Sequence, residues 1–368
     1  MSVTKAAIVR EKGGPFLIED LHLEEPRIDE VAVRLVATGL CHTDLLSRDQ
    51  IMPPGVPAVL GHEGSGVVTA VGAGVGSVAV GDRVVLAPMS CGQCRNCRSG
   101  HPMHCAKFLG MNLYGRRKDG TTAYRDADGG ELGAHFFGQS SFSNEVVVHE
   151  RSVVRVEDDI GDVPLELLGP MGCGLQTGAG TVLDSLAPPP GSSIVVFGAG
   201  AVGLAAVMAA RIAGCDRILV TDHHDHRLDL ALDLGATHVL RAGSDTLNRD
   251  IVHLTGSGAD FAVDAVGVPQ TVRASVDVLN TGGTAAIVGS GGTGQEVSLG
   301  ISQLFGRTLK AVVEGDTVPA LFIPRLIAFH RAGRFPFDRL IQTYPFDDIN
   351  KAAEDSERGR TVKPVLVY

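Results

Sequence analysis

SSIVVFGAGAVG (residues 192–203) joins a β-branched apolar run to an Ala-rich segment through three glycines. A strand that enters a helix through G-x-G-x-x-G is typical of the dinucleotide-binding βαβ unit. Gly198 permits the tight turn, Gly200 lets backbone amides approach a pyrophosphate, and Gly203 lets the helix pack against the strand. The N-terminus of that helix offers unpaired N–H groups to the phosphates. Strand-like and helix-like segments continue to alternate beyond residue 203, which predicts a parallel sheet.

Asp222 ends the next predicted strand, 19 residues after Gly203. A carboxylate at this position hydrogen-bonds the adenosine ribose 2′-OH and repels a 2′-phosphate, which favours NAD over NADP. Three histidines, His223, His224 and His226, follow the acid and partly offset its charge. The sequence therefore predicts dinucleotide binding more firmly than the choice of dinucleotide. A Gly-rich turn without a nucleotide is the alternative, and the combination of strand, helix and acid argues against it.

Four of the seven cysteines lie within fifteen residues, in the spacing C-x2-C-x2-C-x7-C. Four thiolates at such intervals can close a tetrahedral shell around one Zn²⁺. A closed shell has no open position for a substrate, so this zinc would be structural. The four cysteines are Cys91, Cys94, Cys97 and Cys105.

A second, scattered set of metal-binding residue types consists of Cys41, His62 and Cys173. Two thiolates and one imidazole with an open fourth position make the ligand set of a catalytic zinc site. Spacing alone leaves the alternative open that these cysteines are small buried apolar residues.

The composition excludes several classes of protein. With 368 residues, 44% of them hydrophobic, the chain is long enough for two domains with separate cores. A net charge of −10 argues against nucleic acid and anionic membranes as partners, and so against a zinc-finger module. The N-terminus lacks the pattern of a signal peptide, and no apolar run is long enough to span a bilayer. With metal-like Cys spacing, this predicts a cytoplasmic protein.

The first half of the chain contains short β-like runs separated by Gly and Pro, such as EVAVRLVA (30–37) and GSGVVTAV (64–71). This spacing predicts a β-barrel or sandwich. Residues 106–135 have the composition of a long polar loop. The C-terminal TVKPVLVY is again strand-like, and we expect it to return to the first domain.

In combination, the motifs GHEGSGVV, GLCHTD, the four-cysteine segment and the G-x-G-x-x-G segment resemble those of the zinc-dependent medium-chain alcohol dehydrogenases. The stretches HFFGQSSFS (135–143), GCGLQTGAG (172–180) and FGAGAVGLAAVMAA (197–210) are similar to the aryl- (benzyl-) alcohol and geraniol dehydrogenase branch. The match runs from about residue 5 to the C-terminus.

This resemblance implies an α/β plus β fold, in which a GroES-like β-barrel catalytic domain carries an inserted, doubly wound Rossmann domain. The implied domains are a catalytic domain over 1–174 with the structural zinc lobe at 90–106, an NAD-binding domain over 175–313, and a return to the catalytic domain over 314–368.

The resemblance also implies one catalytic and one structural zinc per subunit, and NAD as cofactor. The family oxidises alcohols to aldehydes, with zinc as a Lewis acid on the alcohol oxygen. Thr43 matches the hydroxyl that takes the proton from the alcohol. Asp44 and Glu63 match acidic residues that lie next to the zinc ligands in this family, and Asp44 would orient the zinc-binding histidine. The implied catalytic ligands are Cys41, His62 and Cys173, and the implied structural ligands are Cys91, Cys94, Cys97 and Cys105.

The sequence departs from the liver-type pattern at Leu46, which replaces a relay histidine five residues after the zinc cysteine. We therefore expect His42 to assist proton release or to contact the pyrophosphate. On the cofactor side, Arg227 matches a basic residue near the adenosine ribose and Lys363 a pyrophosphate contact. Val288 ends a parallel strand and is a candidate backbone contact for the nicotinamide amide.

The substrate pocket is predicted from three residues. Phe136 matches a pocket position, Met52 falls near the pocket, and Ala87 stands where many relatives have a bulky side chain. The alternative is that Phe136 and Met52 are core residues. Apolar walls with a wide inner end favour aromatic, terpenoid or longer aliphatic primary alcohols.

Two other functions were weighed against this one. The glutathione-dependent formaldehyde dehydrogenase branch would account for the long 106–135 loop, but its acidic pocket residues are missing between Gln50 and Pro57. A catalytically silent NAD-binding protein would require a broken zinc site, whereas all the matching ligands are present. We expect a small-molecule alcohol or aldehyde as substrate and a homodimer or homotetramer.

Overall fold

A computed structural model describes residues 2–156, 161 and 163–368. The chain divides into two compact units. The first unit contains Met1–Cys173, Val318–Arg331 and Asp338–Tyr368. The second contains Gly174–Thr317 and Ala332–Phe337.

The strands, in chain order, are β1 (Ser2–Val9), β2 (Phe16–Leu23), β3 (Glu30–Gly39), β4 (Ala58–Val59), β5 (Gly64–Val71), β6 (Arg83–Leu86), β7 (Tyr124–Arg125), β8 (Glu145–His149), β9 (Val153–Arg155), β10 (Ser193–Phe197), β11 (Arg217–Asp222), β12 (His238–Arg241), β13 (Ala259–Asp264), β14 (Leu279–Ile287), β15 (Thr308–Ala311), β16 (Ile341–Pro345) and β17 (Lys363–Val367). The α-helices are α1 (His42–Arg48), α2 (Arg95–Arg98), α3 (Phe108–Asn112), α4 (Gly174–Gly180), α5 (Ala201–Ala213), α6 (Asp225–Leu234), α7 (Leu247–Thr255), α8 (Pro269–Asp277), α9 (Pro319–Arg331) and α10 (Ile349–Glu357).

The first unit is built on two β-sheets. One has the order β4-β1-β2-β7, and the other has the order β16-β17-β3-β5-β6-β9 with β8 also paired to β3. Because side chains alternate between the faces of a strand, Val31 and Val33 of β3 enter one buried cluster while Ala32 enters another. The C-terminal strand β17 pairs antiparallel with β3, with Val365 opposite Gly39. The last residues of the chain therefore complete the sheet that carries the predicted metal site.

The second unit is a six-stranded parallel sheet in the order β12-β11-β10-β13-β14-β15. Numbered from its first strand this is 3-2-1-4-5-6, the doubly wound order, with a topological switch point between β10 and β13. The strands bury apolar side chains, among them Val195, Leu219, Ala262 and Ala285. The predicted β-domain with an inserted parallel α/β domain is confirmed.

Residues 314–317 and 332–337 both cluster with the second unit, whereas the sequence-based division placed all of 314–368 in the first domain. Contacts explain the placement of residues 332–337, because Arg334 Nη2 donates to the carbonyl of Ile212 at 3.3 Å and Phe335 and Phe337 are buried. The domain boundaries that the sequence analysis placed at 174/175 and 313/314 remain predictions. Within the described part of the chain, every helix is too short or too polar to serve as a bilayer span.

Candidate metal centres and dinucleotide site

Cys41, His62, Glu63 and Cys173 converge in the first unit, with one ligand atom of each lying within 4.8 Å of the others. Cys41 immediately precedes α1, and His62 and Glu63 lie between β4 and β5. Cys173 follows the 3₁₀ turn Gly169–Gly172. The fold thus brings together the three scattered residues that were predicted to bind a catalytic zinc.

The carboxylate of Asp44 orients the imidazole of His62. Asp44 Oδ1 lies 2.8 Å from His62 Nδ1, and both side chains are fully buried. The same carboxylate accepts hydrogen bonds from the backbone N–H of Cys41 at 2.9 Å and of Gly61 at 3.0 Å. Because the carboxylate already accepts from two backbone N–H groups, Nδ1 is the donor in this contact, and the neutral imidazole then has its lone pair on Nε2. This is the contact that the predicted orienting role of Asp44 requires.

His62 Nε2 is the atom that tests whether a metal fits the cluster. It is buried and has no hydrogen-bond partner among the described residues. An acceptor left unsatisfied in this way costs stability unless a ligand completes it. Hydrogen bonding with Cys173 and the charge of Lys363 hold the pKa of the Cys41 thiol well below its ordinary value. A lone pair and an acidic thiol are the donors that zinc prefers.

Two phenyl rings enclose the His62 imidazole. Phe137 stacks on it with ring centroids 4.5 Å apart, and Phe136 approaches edge-on at 5.5 Å. The backbone of Phe137 has φ 51° and ψ 34°, a left-handed conformation that is rare for a bulky residue. Phe136 was predicted as a pocket residue, and it is fully buried. The sequence analysis missed Phe137, whose only signal was its place in HFFGQSSFS.

Residues 135–140, here called the clamp segment, hold the backbone on both sides of His62. Gln139 Nε2 donates to the His62 carbonyl at 3.0 Å, and its Oε1 accepts from the Gly64 N–H at 3.1 Å. Ser140 Oγ donates to the Val59 carbonyl at 2.6 Å. The clamp segment therefore fixes the loop that carries His62 as well as the plane of its ring.

Lys363, which was predicted to contact the pyrophosphate, binds a buried carboxylate of the first unit. Its side chain is 3% exposed, and Nζ donates to both carboxylate oxygens of Glu63, at 2.8 and 2.9 Å, and to the Leu40 carbonyl at 3.3 Å. An ammonium has three N–H donors, and all three are used here. The Glu63 side chain packs directly against Gly39, because a Cβ added to Gly39 would lie 1.9 Å from Glu63 Oε2. Lys363 thus compensates a buried carboxylate beside the predicted metal ligands, and its contact with a pyrophosphate remains a prediction.

The predicted proton-transfer residues lie at the start of α1. Thr43 is half-buried, with Oγ1 3.8 Å from Cys41 Sγ. His42, the first residue of the helix, is exposed. Leu46, which replaces the relay histidine, is buried.

The two other predicted pocket residues also lie in the first unit. Ala87 directly follows β6 and is buried, with its N–H donating to the Ser152 carbonyl at 2.9 Å. Met52 is half-buried in the loop after α1, and its N–H donates to the Leu46 carbonyl at 3.2 Å. Their contact with a substrate remains a prediction.

The four-cysteine lobe has the geometry of a closed metal site. All four Sγ atoms lie within 4.8 Å of one another, with Cys94 3.5 Å and Cys91 3.9 Å from Cys97. Four sulfurs at tetrahedral corners, about 2.3 Å from zinc, would be about 3.8 Å apart. The backbone amides of Cys97 and Ala106 lower the pKa of Cys94 to about 6. This lobe therefore offers a preformed shell of four sulfur atoms.

The dinucleotide motif has the shape that its glycines predict. Gly198 has φ +94°. A Cβ on Gly203 would lie 1.8 Å from the Gly198 carbonyl oxygen, so α5 can pack against this turn only because residue 203 has no side chain. An added Cβ on Gly200 would meet nothing within 4 Å. That open space precedes the first turn of α5, where a pyrophosphate would bind.

Asp222 lies beside this motif at the end of β11. Its Oδ2 accepts from the Ala199 N–H at 2.7 Å, and its Oδ1 lies 2.9 Å from the His224 amide and 3.0 Å from His224 Nδ1. Although burial opposes it, these hydrogen bonds lower the pKa of Asp222. The half-buried Arg227 follows in α6, and burial lowers the pKa of its guanidinium. Val288 directly follows β14, and its N–H donates to the Asp264 carbonyl at 2.9 Å.

Comparison with known proteins shows which protein families and solved structures this chain resembles. A family model for an alcohol dehydrogenase GroES-like domain matches residues 27–158, and a model for zinc-binding dehydrogenases matches residues 201–326. The chain is 44% identical to a geraniol dehydrogenase of Castellaniella defragrans, over 99% of this chain and 97% of the relative. The structure of benzyl alcohol dehydrogenase from Acinetobacter calcoaceticus superposes with a TM-score of 0.95, at 42% identity over 100% of this chain and 99% of the other.

A more distant relative is an S-(hydroxymethyl)glutathione dehydrogenase of Paracoccus denitrificans. It is 33% identical over 99% of this chain and 100% of the relative. The chain is thus similar to proteins of both branches that the sequence analysis weighed, and the identity is higher for the alcohol branch.

We expect the purified protein to contain two zinc ions per chain, measured by inductively coupled plasma mass spectrometry. Cys97→Ala should reduce this to one and lower the thermal unfolding midpoint, because three sulfurs cannot close the shell. Cys215→Ala is the matched control, since Cys215 lies outside both clusters, and it should retain two. Two zinc ions in the Cys97 variant would contradict the assignment of the lobe.

Proposed function

The chain belongs to the zinc-dependent medium-chain alcohol dehydrogenase family, as its motifs predicted, and we propose that it oxidises primary alcohols with apolar side chains. The proposed substrates are aromatic or allylic, terpenoid-like alcohols, which are converted reversibly to aldehydes with NAD⁺. One observation carries the proposal: Cys41, His62 and Cys173 meet at one point, with the lone pair of His62 Nε2 free of hydrogen bonds among the described residues.

When bound, zinc supplies a Lewis acid and NAD⁺ a hydride acceptor. Cys41, His62 and Cys173 would hold the catalytic zinc, which leaves a fourth position for the substrate. The chain's own contribution is positioning and proton transfer. Asp44 keeps His62 in the tautomer that can bind zinc through Nε2. Lys363 forms an ion pair with Glu63 and so compensates the buried carboxylate next to the proposed ligands.

Thr43 is proposed to receive the proton of the alcohol, because its hydroxyl lies beside the Cys41 thiolate. The next acceptor is proposed to be His42, which adjoins Thr43 and is exposed to water. This route does not need a histidine at position 46, where the buried Leu46 cannot carry a proton.

The second unit is proposed to bind NAD. Gly200 and the first turn of α5 would receive the pyrophosphate, and Asp222 the adenosine ribose. Arg227 would lie near that ribose, and Val288 would contact the nicotinamide amide through its backbone.

The preference for apolar substrates is supported by the walls near the predicted ligands. Phe136 and Phe137 present aromatic surface around His62, and Ala87 is small. The names of the relatives, geraniol and benzyl alcohol dehydrogenase, point to substrates of the same kind. The glutathione-dependent relative has the lower identity, 33%, and this chain lacks that branch's acidic pocket residues between Gln50 and Pro57. A homodimer or homotetramer in the cytoplasm remains a prediction.

The proposal is tested by NADH formation with benzyl alcohol, geraniol, ethanol, and formaldehyde plus glutathione, before and after zinc is chelated. We expect the highest kcat/KM with benzyl alcohol or geraniol, and loss of activity on chelation. Turnover of formaldehyde that requires glutathione would favour the other branch. Absence of activity on every alcohol in the zinc-loaded protein would contradict the proposal, whereas equal rates with NADP⁺ would contradict only the role of Asp222.

Replacing the Thr43 hydroxyl tests the first proton acceptor. Thr43→Ala should lower kcat by about 10²- to 10⁴-fold, the range for loss of a positioned proton-transfer group. Thr43→Ser keeps the hydroxyl and should retain most of the activity. The zinc content of both variants should equal that of the wild type, and an active Thr43→Ala enzyme would remove Thr43 from the mechanism.

His42 tests the proposed exit of the proton. We expect His42→Gln to change the pH dependence of turnover, because the proton would lose its acceptor at the start of α1. His22→Gln, at an exposed histidine in β2, is the matched control and should leave the profile as in the wild type. The same profile in both variants would show that the proton leaves by another route.

A further inference from the structure

A cavity of about 440 Å³ lies in the first unit, beside the four-cysteine lobe. Its walls come from the lobe, from the start of β3, and from residues 111–119, part of the long loop that the sequence analysis left without a function. Among the described residues, the members of the catalytic cluster do not line it. The volume falls within the range of about 300–1,000 Å³ that is typical of small-molecule sites.

The lining is rich in positive charge, although the chain as a whole is acidic. It includes five Arg or Lys side chains and three Asp or Glu side chains. Each of the three acids is already paired: Glu30 with Arg117 at 2.7 Å, Asp119 with Arg27 at 2.6 Å, and Asp29 with His149 at 3.2 Å.

Two of the three remaining cations of the lining, Arg116 and Arg151, have other partners. Arg116 pairs with Glu131, which lies outside the lining. Arg151 donates to the carbonyl of Ser90 at 3.0 Å. Five cations against three carboxylates leave the lining itself with two more positive than negative side chains, while Glu24 and Glu131 outside it pair with Arg117 and Arg116.

The positive charge of the lining also affects the buried side chain of His135. It is 5% exposed, and its Nε2 accepts a hydrogen bond from the Ala123 N–H at 3.1 Å. Burial and the neighbouring Arg117 and Arg27 lower the pKa of His135 to about 3. The imidazole is therefore neutral, and its proton is on Nδ1, which leaves an N–H donor on a residue of the lining.

The cavity also has apolar surface from Met89 and Met111. Methionine side chains adapt to irregular apolar ligands. We propose that this cavity binds a small organic anion, a carboxylate or a phosphate monoester with an apolar body. The charged end would lie among Lys118, Arg27 and the His135 N–H, and the apolar body against the two methionines.

The site is tested by isothermal titration calorimetry of the zinc-loaded enzyme with phenyl phosphate. Saturating NADH is present throughout, so that the phosphate group cannot occupy the dinucleotide site. We expect one phenyl phosphate per chain, and inorganic phosphate to bind more weakly because it lacks the apolar body. Lys118→Gln and Arg27→Gln should each weaken binding about tenfold, as expected for loss of one charge-assisted hydrogen bond.

Lys107→Gln is the matched control, because Lys107 is an exposed lysine of the same region that does not line the cavity. It should bind phenyl phosphate as the wild type does. Failure of the wild type to bind would overturn the proposal. Equal binding by the wild type and both lining variants would also overturn it, since the anion would then be at the zinc or elsewhere. The measurement needs no turnover, so its outcome is independent of the proposed reaction.

Discussion

The cluster of predicted metal ligands in the first unit depends on the hydrogen bonds that the buried carboxylate of Asp44 accepts. Three N–H groups converge on it, from the backbone of Cys41, the backbone of Gly61 and the ring of His62. Hydrogen bonds to a charged group contribute about 1.5–3 kcal/mol each, and they offset the cost of burying the charge. By binding all three at once, Asp44 sets the start of α1 against the loop that carries His62. Two of the predicted metal ligands are therefore placed by one side chain that does not itself bind the metal.

The clamp segment adds a second constraint from the other side of His62. Its left-handed residues carry backbone strain of about 1–3 kcal/mol each, which persists only where the surroundings over-determine the conformation. Here Phe137 stacks on the imidazole while Gln139 binds the backbone that follows His62, at the His62 carbonyl and the Gly64 N–H. The same segment contributes His135 and Gly138 to the cationic cavity. One short stretch of chain thus separates two sites with different chemistry.

Much of this arrangement could be predicted from the sequence because the decisive signals are local. The four-cysteine lobe and the Gly-rich turn are encoded within short stretches, and the parallel sheet follows from alternating strands and helices. The partner of Lys363 could not be predicted, because it depends on β17 pairing with β3 across most of the chain. Phe137 was missed because no propensity predicts a phenylalanine in the left-handed region. The assignment of residues 332–337 to the second unit likewise follows from tertiary contacts such as that of Arg334 with Ile212.

The contact between Glu63 and Lys363 joins residues 300 positions apart in the sequence, and this has a consequence for biosynthesis. The ribosome makes Glu63 early, and Lys363, with which it pairs, only 300 residues later. The strand that covers the edge of β3 arrives at the same moment. Meanwhile the whole parallel sheet of the second unit has left the ribosome and can fold as a unit. The buried carboxylate of the first unit therefore obtains this counter-charge only after the parallel sheet of the second unit has been synthesised.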